Sequence, residues 1–87
     1  MRWQELKQAI DLPDETKDIL ESLAYLIALR KERGISQLEF SERIGMSQAQ
    51  LAKIETLTSI PTLKTINRYA KGLGLKTTIT FTSIPIA

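Results

Sequence analysis

QLEFSERIGMSQAQLAKIET, residues 37–56, decides how this chain folds. It reads as two short helices joined by a tight turn at Gly45. Ser36 precedes the first with Glu39 three residues on, and Ser47 precedes the second with Gln50 three residues on. Each pair is a capping-box pattern, in which a hydroxyl and a longer side chain satisfy backbone N–H groups left open at a helix start. Phe40, Ile44, Met46, Leu51 and Ile54 recur at helical spacing, so both helices turn one face to a common core. Gly45 ends the first helix where a left-handed residue is needed.

Two helices at this spacing make a helix-turn-helix, whose second helix enters the DNA major groove. Beyond the motif, the tracts LRKERGISQLEFSERIG, MSQAQLAKIE and PTLKTINRYAKGLGL carry apolar positions, caps and glycines in matching register. From about Leu26 to Leu75 the chain resembles the Cro/CI-type helix-turn-helix repressors of bacteria and phages. The resemblance implies an all-α, five-helix domain. Three residues depart from the family pattern. Ser41 stands where the family usually has Ala at the helix crossing. Thr56 and Leu57 stand where it usually has Asn-Gly, so either Leu57 takes an unfavourable backbone conformation or the turn differs.

Eighty-seven residues make one domain with a small core. No apolar run approaches the roughly 20 residues of a membrane span, and no signal peptide is expected. The chain has no cysteine and no histidine. This excludes disulfides, thiolate chemistry and a histidine acid–base catalyst, and no metal site or cofactor is expected. A cytoplasmic location fits, nucleoid-associated in a bacterial cell.

The net charge of +2 hides an asymmetry. Residues 1–29 hold three basic residues against six acidic ones, a net −3, whereas residues 30–87 hold nine against four, a net +5. The basic part coincides with the helix-turn-helix, as a phosphate-binding footprint should.

Outward from the motif, Trp3, Leu6, Ala9 and Ile10 give Met1 to Ile10 a weak helical pattern, which Asp11-Leu12-Pro13-Asp14 breaks. A long helix is expected from about Pro13 to Arg33. Its apolar stripe is Leu20, Leu23, Ala24 and Ile27, widened by Ile19 and Leu26, and Gly34 stops it. Thr62 caps a further helix from Leu63 to about Leu73, with Leu63, Ile66, Ala70 and Leu73 facing the core, and Gly74 ends it. The last segment, Leu75 to Ile84, is rich in Thr and Ile and reads as a β-strand. A lone strand leaves its backbone groups unpaired, so a second copy is the expected partner, with Thr77, Ile79 and Phe81 in a homodimer interface. The expected layout is an N-terminal helical extension over 1–12, the helix-turn-helix domain over 13–74, and a C-terminal strand and tail over 75–87.

Ser47, Gln48, Ala49 and Gln50 occupy the first turn of the second motif helix, and Lys53 follows one turn after Ala49. Gln pairs bidentately with adenine N6 and N7, and a small Ala packs on a thymine methyl. The resemblance implies that Gln48 reads bases, that Gln37 anchors a phosphate, and that Arg30 and Glu55 form a salt bridge tying the first helix to the end of the reading helix. Outside a complete motif such residues read as ordinary polar surface, chosen for capping and solubility. Trp3 is as well explained by local packing as by an interface.

An enzyme is not expected: Asp14, Glu15, Asp18 and Glu21 sit at a helix start, where its dipole explains them, and Tyr25 and Tyr69 fall at core spacings. Two functional readings remain. Small size, an acidic helical extension and no sensor domain are similar to HigA-type antitoxins of type II toxin–antitoxin pairs. That implies binding to a palindromic operator in double-stranded DNA, autoregulation of the operon, and a basic ribonuclease toxin as partner. The alternative is a free-standing phage- or plasmid-type repressor.

Overall fold

A computed structural model describes residues 14–86. The expected helical pattern over residues 1–10, the break after it, and Trp3 lie outside the described residues. Four helices follow in order: α1 (Asp14–Glu32), α2 (Gln37–Arg43), α3 (Gln48–Ile54) and α4 (Leu63–Gly72). None of them is long and apolar enough to cross a membrane.

The caps form where the residue types require them. The Ser36 hydroxyl accepts the Glu39 N–H at 3.1 Å. Ser47 and Gln50 make the full reciprocal box, with Ser47 Oγ accepting Gln50 N–H and Gln50 Oε1 accepting Ser47 N–H, both at 3.1 Å. Thr62 caps α4 by accepting Thr65 N–H at 3.1 Å. Each cap satisfies a backbone donor that the helix leaves open. Gly45 takes φ +68°, the left-handed conformation that lets α2 turn into α3 within a few residues.

The core is one cluster drawn from all four helices: Leu23, Leu26 and Ile27 of α1, Phe40 of α2 with Ile44 after it, Leu51 of α3, and Tyr69 and Ala70 of α4 with Leu73 after it. Phe40 and Tyr69 meet with ring centroids 4.5 Å apart and planes tilted by 49°, a favourable aromatic arrangement. Gly72 sits where α4 passes tightly against this cluster. A Cβ there would overlap Ile44 Cγ2 and stand 2.8 Å from Phe40 Cζ. Ser41 is fully buried at the α2–α3 crossing, and its hydroxyl donates to the Leu38 carbonyl at 2.8 Å. A serine therefore serves there as a small residue that carries its own partner. Two expected core positions are exposed instead: Leu63, at the first turn of α4, and Tyr25 on α1.

The expected architecture of five helices and a C-terminal strand is corrected. Among the described residues there are four helices and no strand. Residues 75–86 form no regular element. A β-ladder needs a second extended segment to accept its N–H groups and donate to its carbonyls, and no other described segment offers one. A fifth helix has no place in the expected domain either: among its described residues the four helices are separated by short turns and by one loop over 55–62, which carries Pro61. Ile79 and Phe81 stand exposed to solvent.

Candidate nucleic-acid interface

The first turn of α3 stands at the surface. Ser47, Gln48, Ala49, Gln50 and Lys53 are all exposed, while Leu51 on the opposite side is completely buried. The helix thus presents a polar stripe and is held down by an apolar one. Ser47 and Gln50 are engaged with each other in the cap. The side chains of Gln48 and Lys53 make no hydrogen bond among the described residues. Gln48 offers one acceptor and two donors, Ala49 a methyl, and Lys53 a mobile cation, a set able to meet a base edge, a thymine methyl and a phosphate.

What fixes this stripe in place is a buried polar cluster at the other end of α3. Glu55, the C-cap of α3, receives Arg30 Nη2 on Oε1 at 2.7 Å and Arg30 Nε on Oε2 at 2.8 Å, a bidentate ion pair with both side chains about 5% exposed. The expected Arg30–Glu55 pair is therefore present in the folded chain. Two further donors converge on the same carboxylate. The Tyr69 hydroxyl donates to Oε2 at 2.6 Å, and Gln37 Nε2 donates to Oε1 at 3.0 Å. Arg30 also donates to the Ile35 carbonyl at 2.5 Å.

The electrostatics follow from this geometry. Burial pushes the Glu55 carboxyl up, but the hydrogen bonds from Arg30, Tyr69 and Gln37 outweigh it and hold the group below the ordinary carboxylate range. Hydrogen bonding to Glu55 raises the Arg30 guanidinium further. Burial, reinforced by the neighbouring Glu55 carboxylate, pushes the Tyr69 hydroxyl well above its usual value, so it remains a donor.

Gln37 is half-buried at the first turn of α2, one hydrogen of its amide being committed to Glu55. Thr77 is half-buried, while Ile79 and Phe81 are exposed on the segment after α4.

Two structural residues lay beyond the reading of the sequence. Tyr69 was legible as core but not as a hydrogen-bond donor, although a buried tyrosine hydroxyl generally demands a partner. Arg68 was legible only as charge. It donates from Nε to the Ile44 carbonyl at 2.7 Å and from Nη2 to the Gly45 carbonyl, bracing the turn between α2 and α3.

The exit from α3 resolves the two alternatives open at Thr56-Leu57. Leu57 adopts φ +59°, the left-handed conformation usual for glycine, and its side chain packs partly on the core. The Thr56 hydroxyl donates back to the Lys53 carbonyl at 2.6 Å.

Comparison with known proteins places this geometry. A helix-turn-helix family model matches residues 26–79, more than half of the chain. Two curated relatives are Antitoxin HigA1 of Mycobacterium tuberculosis, strains CDC 1551 / Oshkosh and ATCC 25618 / H37Rv. Each is 34% identical over 70 residues, covering 80% of this chain and 45% of theirs. The chain thus spans less than half the length of the curated relatives it matches. No solved structure matches it.

Proposed function

The chain belongs to the Cro/CI-type helix-turn-helix family of DNA-binding regulators, and from that premise we propose that it is a sequence-specific transcriptional repressor that also serves as the antitoxin of a type II toxin–antitoxin pair. The observation that carries the first part is the exposed Gln48-Ala49-Lys53 stripe on a helix locked at one end by its capping box and at the other by Glu55. A reading helix needs that combination: free polar tips on a backbone that does not move. Gln48 takes the base-reading role, Ala49 packs against the groove wall, Lys53 reaches a base edge or a phosphate, and Gln37 anchors the DNA backbone. Ser47 and Gln50 hold the first turn in shape.

The antitoxin part rests on the 34% identity to the two HigA1 antitoxins and on the charge of α1. Asp14, Glu15 and Asp18 are exposed at its start, where they attract a basic partner such as a ribonuclease toxin. We assign the operator two half-sites and the protein a homodimer. Thr77, Ile79 and Phe81 are the side chains proposed to meet between copies, because Ile79 and Phe81 stand exposed in each single chain.

The test is a titration of DNA from the promoter of the chain's own gene at several salt concentrations. Affinity should fall steeply and linearly on a log–log plot as Lys and Arg displace counterions. A flat line refutes DNA binding as the main activity. For the partner, Asp14, Glu15 and Asp18 are reversed to Lys and co-purification with the neighbouring gene product is measured. Lost capture with retained operator binding supports the acidic docking face, and full capture refutes it.

A further inference from the structure

One carboxylate joins all four helices. Glu55 closes α3, and its donors come from α1 (Arg30), α2 (Gln37) and α4 (Tyr69). Each oxygen accepts two hydrogen bonds: Oε1 from Arg30 Nη2 and Gln37 Nε2, Oε2 from Arg30 Nε and the Tyr69 hydroxyl. That fills the roughly four acceptor sites an ionised carboxylate offers. The members differ in exposure. Tyr69 is 1% and Arg30 4% exposed, whereas Gln37 reaches the surface at the start of α2.

The Tyr69 hydroxyl has a double engagement. It donates to Glu55 Oε2 at 2.6 Å and accepts from Arg30 Nε at 3.2 Å. The two Arg30–Glu55 hydrogen bonds fix the ion pair in its own plane. With Arg30 Nη1 on the Ile35 carbonyl they tie the pair to α1, α3 and the turn after α1, but none of the three ties it to α4, against which it keeps a freedom to tilt. The Tyr69 hydroxyl removes this freedom, and its ring is itself held against Phe40 of α2. Oε1 is then stationed where the Gln37 amide meets it.

We propose that Tyr69 is a positioning residue for DNA recognition, acting through Glu55 on Gln37, so that the one amide hydrogen Gln37 has left is aimed at a backbone phosphate. This rests on the DNA-binding reading above. Tyr69, buried in the core, touches no DNA itself. Its contribution is the orientation of a side chain that does. A Gln amide free to rotate would present its carbonyl oxygen to the phosphate about as readily as its N–H, and an acceptor facing a phosphate is repelled.

The experiment is a double-mutant cycle with Tyr69→Phe and Gln37→Ala, read as affinity for the operator duplex at fixed salt, with circular dichroism and thermal melting of every variant. Tyr69→Phe keeps the ring and removes only the hydroxyl. It should weaken operator binding about three- to tenfold in the wild-type background and by less than about twofold once Gln37 is Ala, the range expected for one hydrogen bond's alignment. A merely structural role gives the same loss in both backgrounds, and that result overturns the proposal, as does no loss in either. Should Tyr69→Phe not fold, acid titration of the wild type by NMR decides. The Gln37 side-chain amide and the Tyr69 ring signals should move with one midpoint as Glu55 takes up its proton; separate midpoints overturn the linkage. A wild type with no preference for operator over unrelated duplex overturns the DNA-binding reading and the positioning role with it. Retained preference with equal losses overturns the positioning role alone.

Discussion

Arg68 Nε donates to the Ile44 carbonyl at 2.7 Å, so a side chain of α4 closes the C-terminus of α2 directly at the turn of the motif. The last carbonyls of a helix have no partner within it, and a guanidinium there satisfies both the hydrogen bond and the negative end of the dipole. Arg68→Met keeps much of the stem and removes the donors. It should destabilise the fold by about 1–2 kcal/mol, between the worth of an ordinary hydrogen bond and that of one from a charged group, because Arg68 is exposed. Urea unfolding checks this: the midpoint should drop with the slope unchanged. An unaltered midpoint means the turn needs no brace.

Gly72→Ala places a methyl against Ile44 and Phe40, both buried. Overpacking a tight core costs about 1–3 kcal/mol, which exceeds the gain of about 1 kcal/mol from replacing glycine inside a helix. We expect net destabilisation, read as a lower melting temperature. Gly72→Ala melting above the wild type would show that the crossing has room.

At Leu57 the backbone conformation should outrank hydrophobicity. With φ +59°, a β-branched side chain is strained more than Leu, whereas Asn visits this region readily. Leu57→Val should therefore lose roughly 1–2 kcal/mol, while Leu57→Asn, despite losing apolar packing, should melt higher than Leu57→Val. The reverse order would place Leu57 in an ordinary turn.

Glu55 sets the acid limit of the network. Arg30, Tyr69 and Gln37 hold its carboxyl below the ordinary carboxylate range in the folded chain, so its contribution to stability is present above that range and is lost as the pH falls through the folded value. In Glu55→Gln no proton is taken up at this site. Stability of the variant should be lower near neutrality but decline less steeply in acid, measured by denaturant unfolding at a series of pH values. Parallel pH profiles for the two proteins would contradict the lowered value.

Gln48→Ala should weaken operator binding by about 1–3 kcal/mol, the worth of one bidentate base contact, while leaving binding to unrelated duplex nearly unchanged. Fluorescence anisotropy with both duplexes separates the two. Equal losses on both would assign Gln48 to the phosphate backbone.

Local chemistry determined a large part of this protein from the sequence alone. The capping residues Ser36, Ser47 and Thr62, the left-handed Gly45 and the apolar spacing of Phe40, Ile44 and Leu51 are written within a few residues of the features they cause, and each appears as expected, except that Ser36 caps α2 with its hydroxyl alone, without the reciprocal Glu39 bond of a full box. The Arg30–Glu55 pair was legible only through the family resemblance, since 25 residues separate the partners. The tertiary structure decided what depends on distant segments meeting. Tyr69 becomes a donor only because α4 carries it to Glu55, and Gly72 is required only because α4 crosses Phe40 and Ile44 there. The same reason explains the error at the C-terminus. Thr- and Ile-rich residues 75–84 have the composition of a strand, but a strand exists only with a partner for its backbone, and no other part of the described chain supplies one.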